Sequence, residues 1–244
     1  MSRPIPAPAV PPAPSIARRA GPVLGIVALL VGLGAVGFAA AFANREPPSK
    51  VTSDAADAQS RRIDVTLADI QATWGRLFSG MGRGYRIAGH RYFVEATPAP
   101  CAGAGQATGP FYCPDNRALY FDLALFAAMP AQMREIEDQA TKLVIAAVAA
   151  GPALDQLGAS GSVAGTDCLA GVWARDAARR IGPVPEGRYG LAILGTRRVA
   201  EARASWWGGG PEALGGLGLG TIAEREAAFQ RGYAAGDPKV CLAS

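Results

Sequence analysis

Hydrophobic positions recur at helical spacing after a polar stretch in the first quarter of the chain. Thr66 and Asp69 have the spacing of a capping box, which marks the start of a helix. The apolar positions that follow lie mostly three or four residues apart, and they are Leu67, Ile70, Trp74, Leu77 and Phe78. This pattern predicts a helix from Thr66 whose apolar face packs in a core.

Further helices and a few short strands are predicted in the rest of the chain. A long apolar helix is expected from about residue 130 to 150, because Gly151 and Pro152 stop or kink a helix. Two more are expected over 165–181 and from a second capping-box pattern at Thr221. Strands are expected at 90–95 and on either side of a turn, at 111–113 and 117–122. Helices mixed with short strands predict an α+β domain.

An uncharged apolar stretch covers residues 21–43, near the start of the chain. At 1.5 Å per residue such a stretch can cross a hydrocarbon core of about 30 Å. We expect a transmembrane helix with a cytoplasmic N-terminus, since Arg18 and Arg19 precede it and positive charge favours that side. The alternative is a secretory signal that is cleaved after Ala43, where small residues alternate with Phe42.

The polar flanks of this stretch complete the expected division of the chain. Residues 1–20 are rich in proline and alanine, which is typical of a disordered tail. Residues 44–63 are polar and are expected to be a linker, followed by one domain over 64–244. The expected location is therefore the cytoplasmic membrane, with the C-terminal domain on its extracytoplasmic, periplasmic side.

Charge and cysteine content narrow the function classes. The net charge is +4, but the arginines come in isolated pairs without a basic stripe, so we expect no nucleic-acid partner. The chain has four cysteines and no C-x-x-C pair, which favours two disulfides in an oxidising compartment. Of the three possible pairings we expect Cys101–Cys113, which closes a short loop, and Cys168–Cys241, which closes a long one.

Four sequence segments, found together and in order, resemble the bacterial neutral zinc metallopeptidase family. They are GPFYCPDNRALYFDLALF at 109–126, VIA at 144–146, DCLAGVWA at 167–174 and FQRGYAAGDPKVC at 229–241. The resemblance covers about residues 64–241. It implies a membrane-anchored, zincin-like α+β domain, and it supports the cysteine pairing given above.

The resemblance also indicates where the zinc ligands of such a peptidase would stand. In the family, VIA is followed by His-Glu-x-x-His, in which the histidines bind zinc and the glutamate activates a metal-bound water. Those positions are Ala147, Val148 and Gly151 here. The family's third ligand, a glutamate, aligns with Val163, while Asp167 is retained and is expected to cap or hydrogen-bond at a helix start. We therefore expect no zinc and no catalytic residue at this site.

A metal site could have been rebuilt from other residues only with difficulty. The single histidine, His90, together with Asp155 and Asp167, is the one combination that the sequence offers. The leading hypothesis is an inactive relative of the peptidases that binds a peptide or an envelope protein. The alternatives are an active metallopeptidase with non-standard zinc ligands and a structural envelope protein.

Overall fold

The structure is a computed structural model that describes residues 51–94, 96–98, 101, 106–132, 136–159, 161–204 and 211–242. The expected tail at 1–20, the expected membrane helix at 21–43 and residues 44–50 of the expected linker lie outside these residues. Within them the chain is a mixed α and β protein that is mostly helical. None of the helices in this part of the chain is long and apolar enough to cross a membrane.

The helices and strands follow one another in a simple order. They are α1 (Ser53–Gly80), β1 (Gly89–Phe93), β2 (Thr97–Pro98), β3 (Gln106–Ala107), β4 (Phe111–Cys113), β5 (Ala118–Asp122), α2 (Leu123–Gln132), α3 (Glu137–Gln156), α4 (Val163–Ile181), α5 (Arg188–Ala204) and α6 (Ile222–Ala235), with 3-10 helices at Pro211–Gly218 and Pro238–Cys241.

A small mixed sheet has the strand order β1-β5-β4, with β1 parallel and β4 antiparallel to β5. The two strands predicted around the turn are confirmed as β4 and β5. Every residue of β5 is buried, as expected for a central strand with the apolar sequence Ala-Leu-Tyr-Phe. The antiparallel pair β2 and β3 was not predicted from the sequence.

Helix α1 begins thirteen residues before the predicted start, because Thr52 is its N-cap and accepts a hydrogen bond from the amide of Ala55. Thr66 lies inside the helix, where its hydroxyl donates to the carbonyl of Arg62. Residues 53–63 of the expected linker are therefore helical. The predicted apolar face is confirmed, since Leu67 and its neighbours at helical spacing, Ile70, Trp74 and Phe78, are buried.

The region predicted as one long helix forms two helices. Helix α2 starts at Leu123 because the carboxylate of Asp122 accepts hydrogen bonds from the amides of Ala124 and Leu125, at 3.0 and 3.2 Å. Helix α3 starts at Glu137 and does not stop at Pro152 as predicted; it ends at Gln156. Proline removes one backbone hydrogen bond, but residues 151–154 are all buried, and this packing holds the last turn in place.

Helices α4 and α6 cross closely, and both starts agree with the predictions to within two residues. Ser162 caps α4, and Thr221 with Glu224 forms a complete capping box at α6. At the crossing, a side chain at Gly171 or Gly232 would collide with the backbone of the other helix. Glycine is required at both positions because the two backbones touch.

Both disulfides form in the expected pairing. Cys101–Cys113 joins the segment before β3 to the end of β4. Cys168–Cys241 joins α4 to the C-terminal 3-10 helix across 73 residues of sequence. The second bond closes the longer loop and therefore restricts the unfolded chain more.

Candidate functional site

The four positions that the resemblance matches to zinc ligands and a general base line one cavity. Ala147, Val148 and Gly151 come from α3, and Val163 is the first residue of α4. Positions 147 and 151 are one helical turn apart and so lie on the same face of α3. The cavity has a volume of about 310 Å³. The structure thus brings together the positions that the resemblance selected from two separate helices.

The other walls of the cavity come from the edge strand and the C-terminal part of the domain. Strand β4 contributes Phe111 and Tyr112, and the 3-10 helix after α5 contributes Leu217, with Leu219 just beyond it. In the described part of the chain β4 pairs with β5 on one side and with no strand on the other. The described residues thus leave one edge of β4 without a strand partner, and this strand lines an apolar cavity.

The residues present do not fit a zinc ion. Catalytic zinc needs about three ligands with nitrogen, sulfur or carboxylate oxygen donors, and alanine, valine and glycine side chains supply none. The space beside Gly151 is also filled, because a Cβ built there would lie 2.8 Å from the Cβ and Cδ1 atoms of Tyr112. A histidine at residue 151 would require Tyr112 to move.

Arg225 is the charged residue among the described lining of this cavity, and its guanidinium group is already engaged. Its Nε and Nη2 donate to the two carboxylate oxygens of Asp167, at 2.8 and 2.7 Å. Its Nη1 donates to the carbonyl of Gly216 at 2.9 Å. Arg225 therefore closes the inner wall of the cavity as part of a satisfied network.

Asp167 is fully buried in this network and does not cap α4, since Ser162 fills that role. Besides the two bonds from Arg225, it accepts a hydrogen bond from the hydroxyl of Tyr189. Burial raises the pKa of the Asp167 carboxyl, and the Arg225 guanidinium beside it opposes that rise. The retained acidic residue is thus one half of a buried ion pair.

The three residues considered for a rebuilt metal site have different partners. His90, in β1, places its Nε2 2.9 Å from a carboxylate oxygen of Asp64 on α1. Asp155, near the end of α3, accepts a hydrogen bond from the hydroxyl of Tyr112 at 3.2 Å. Asp167 is held by Arg225. Within the described residues no group of three histidine, cysteine, aspartate or glutamate side chains could hold a metal ion.

Tyr112 also lines a second, smaller pocket of about 170 Å³, together with Arg86, Arg117, Asp155 and Gln156. Burial and the nearby Asp155 carboxylate raise the pKa of the Tyr112 hydroxyl to about 12, while the two arginines act in the opposite direction. No pattern in the sequence singles out Tyr112 or Arg225. A signal for Tyr112 was present in Gly151, because a glycine in a buried helix indicates the close approach of another group.

Comparisons with known proteins identify the family of the chain. The family model described as "Putative neutral zinc metallopeptidase" matches residues 19–165, which include all four positions in the cavity. The uncharacterized protein YpfJ of Escherichia coli (strain K12) is 26% identical over 248 residues, covering 91% of this chain and 86% of the relative. The uncharacterized proteins Mb2605 of Mycobacterium bovis and Rv2575 of Mycobacterium tuberculosis (strain H37Rv) are each 26% identical over 205 residues, covering 74% of this chain and 69% of each relative. No solved structure matches the chain. Because the family model covers more than half of its residues, this chain belongs to the neutral zinc metallopeptidase family.

Proposed function

We propose that this protein is a non-catalytic member of its family that acts as an extracytoplasmic binding or scaffolding module. Its zincin-like domain is held at the cytoplasmic membrane by residues 21–43. Its partner is a peptide or an envelope protein, and it needs no zinc. The observation that carries this proposal is the cavity in which Ala147, Val148, Gly151 and Val163 meet.

The chemistry of those four side chains supports binding rather than catalysis. Hydrolysis by a zinc peptidase requires ligands that hold the metal and a base that takes a proton from the bound water. Among the described lining residues, no side chain is a usual zinc ligand or a general base. They offer apolar surface, which stabilises a complex by removing the apolar parts of a ligand from water.

The apolar substitutions also fit the stability of the domain. Histidine and glutamate side chains that have lost their metal would be polar groups without partners in the interior, which is costly. Alanine and valine at residues 147–149 instead pack against the core, where Ala147 and Ala149 are buried. A domain kept for binding therefore benefits from replacing the whole ligand set.

The proposed location rests on the sequence before the domain and on the cysteines. Residues 21–43 carry no charge and are long enough to cross a bilayer. Both disulfides favour an oxidising compartment, such as the bacterial periplasm. In spheroplasts we expect added protease to digest the domain without lysis, and carbonate washing to leave the chain in the membrane fraction. Digestion only after lysis would contradict this topology.

The metal content of the full chain tests the loss of catalysis. The protein is purified in detergent with its disulfides intact, incubated with zinc and desalted, and its zinc is measured by elemental analysis. We expect less than about a tenth of an equivalent, because a closed three-ligand site is required for retention. One zinc per chain that is lost in His90→Ala or Asp155→Asn, together with peptide cleavage, would show an active peptidase with non-standard ligands.

A further inference from the structure

Tyr112 separates two pockets that differ in chemistry. On one side lies the apolar cavity of about 310 Å³ with the four substituted motif positions. On the other lies the pocket of about 170 Å³ with Arg86 and Arg117. Because Tyr112 lines both, a ligand that passes over its ring reaches an apolar site and a cationic site within a few residues.

The mouths of both pockets expose apolar side chains to water. Leu219, at the cavity, is 57% exposed, and Ile87, at the second pocket, is 70% exposed. Single exposed apolar residues are ordinary on a protein surface. Here Leu219 lies beside the apolar cavity and Ile87 beside the neighbouring pocket, and together they mark a surface that can bury a partner.

The two arginines of the second pocket have free guanidinium groups. Both residues are exposed, and within the described part of the chain their side chains make no hydrogen bond or ion pair. Asp155, the acidic residue of the same pocket, accepts a hydrogen bond from the hydroxyl of Tyr112. The pocket thus has one more positive than negative charge, and arginine is the side chain that best matches a carboxylate.

The backbone at Arg117 supports the assignment of a function to this side chain. Arg117 has φ of 52°, the one positive value among the described non-glycine residues. The turn holds it there, because the amide of Arg117 donates to the carbonyl of Pro114 and that of Ala118 donates to the side chain of Asn116. A left-handed conformation at a non-glycine residue costs energy and often occurs at binding sites.

We propose that the cleft binds an extended peptide in which an apolar side chain is next to a carboxylate. The apolar side chain enters the cavity beside Ala147 and Val163, the carboxylate faces Arg86 and Arg117, and the peptide backbone pairs with the free edge of β4. This rests on the proposed function, because a metal centre would fill the same cavity. The carboxylate is either the C-terminus of the peptide or an aspartate or glutamate side chain.

Four synthetic peptides distinguish these sources in calorimetric titrations of the full chain in lipid nanodiscs. They are acetyl-Ala-Ala-Ala-Leu with a free carboxylate, the same peptide as its amide, acetyl-Ala-Ala-Leu-Asp amide, and acetyl-Ala-Ala-Ala-Ala with a free carboxylate. We expect one site per chain for a peptide that has both leucine and a carboxylate. Loss of either group should weaken binding at least about tenfold, because a charged hydrogen bond or a buried leucine contributes that much.

Substitutions in each pocket test the two contacts separately. The double variant Arg86→Gln and Arg117→Gln should weaken the binding of the peptides with a carboxylate at least about tenfold. It should leave the affinity for acetyl-Ala-Ala-Ala-Leu amide unchanged. Arg179→Gln, at an exposed arginine on α4, is the matched control and should change nothing. Val148→Phe fills the cavity and should weaken every leucine peptide, whereas Val65→Phe, at an exposed position on α1, should not. Circular dichroism checks that each variant is folded.

The outcomes separate this inference from the proposed function. Equal binding of all three leucine peptides, including the amide that has no carboxylate, or no effect of the paired arginine variant, would overturn it. Absence of saturable binding by all four peptides up to about 1 mM, the weak end of ordinary affinities, would overturn it as well. In both cases a zinc-free, inactive protein leaves the proposed function standing, while stoichiometric zinc with peptide cleavage overturns both.

Discussion

The apolar cavity and the buried ion pair beside it differ in the side chains that they bury. Val163 and Asp167 are one turn apart on α4, and Arg225 touches both sites. At the cavity the four motif positions carry apolar side chains or none, whereas the ion pair consists of an acid, a base and a hydroxyl partner. Two sites that share a wall thus differ completely in polarity.

The source of compensation explains this difference. Buried polar groups are tolerated when every one has a partner, and a partly satisfied cluster is worse than an apolar one. Ligands of a metal ion depend on an ion from outside the chain, and without it each of them would be a buried polar group without a partner. The compensation for Asp167 is Arg225, which the chain itself supplies.

The largest expected effect is at the ion pair, in Arg225→Met. It leaves the Asp167 carboxylate buried without its cation and should reduce the free energy of unfolding by about 3–5 kcal/mol. The control is Arg62→Met, which breaks half-exposed ion pairs with Glu137 and Asp138 and should cost about 1 kcal/mol or less. Urea denaturation followed by tryptophan fluorescence measures both values.

Removal of both charges sharpens the same prediction. Asp167→Leu combined with Arg225→Met removes the unpaired charge and should recover most of the lost stability, because a packed apolar pair can replace a buried ion pair. If Arg225→Met alone costs no more than Arg62→Met, the ion pair does not depend on internal compensation, and the comparison with the cavity fails.

The next effect is at the cavity, in Gly151→Ala. The added methyl group would lie 2.8 Å from atoms of Tyr112, and such overpacking should cost about 1–3 kcal/mol. Gly75→Ala, on α1, is the matched control, because its Cβ would meet no atom within 4 Å. This substitution should stabilise the helix by up to about 1 kcal/mol. The free energy of unfolding is expected to fall in Gly151→Ala and to rise in Gly75→Ala. An equal rise in both variants would show that Tyr112 moves aside without cost.

A smaller effect is expected from restoring one charge, in Val148→Glu. Val148 is half-buried at the cavity, so the glutamate loses part of its hydration, and we expect a cost of about 1 kcal/mol relative to Val65→Glu on the exposed face of α1. Zinc should not raise the melting temperature of either variant, because one carboxylate does not make a three-ligand site. A zinc-dependent rise in Val148→Glu alone would reveal hidden ligands.

The parts of the fold that the sequence predicts are those set by local chemistry. The apolar face of α1, the turn between β4 and β5 and the capping box at Thr221 depend on neighbouring residues, and all three are confirmed. The start of α1 was wrong because Thr52, an N-cap that precedes the apolar pattern, begins the helix earlier. The end of α3 was wrong because packing decides it: the buried residues after Gly151 keep α3 helical past Pro152.

The candidate site was predictable in position but not in shape. The resemblance located Ala147, Val148, Gly151 and Val163, yet no local pattern reveals that Tyr112 fills the space beside Gly151. The partner of Asp167 was equally hidden, because Arg225 is 58 residues away in sequence. Both features arise from packing between elements. The residues that meet in such packing have no fixed separation in sequence, so no sequence pattern reveals them.

The smallest expected effect is the pH dependence of stability caused by Tyr112. Its pKa is raised from 10.0 to about 12 in the folded protein, first by burial and then by Asp155. The unfolded chain therefore loses this proton at lower pH than the folded protein, so the stabilisation is complete below pH 10 and disappears as the pH rises towards 12.

Tyr112→Phe lacks this titration. The difference in unfolding free energy between the two proteins should fall over that interval, and tyrosinate absorbance should show one fewer late-titrating group in the variant. Because Tyr112 is only partly buried, the change should be smaller than at Gly151, and a difference that stays constant with pH would show that its hydroxyl is solvated like that of the unfolded chain.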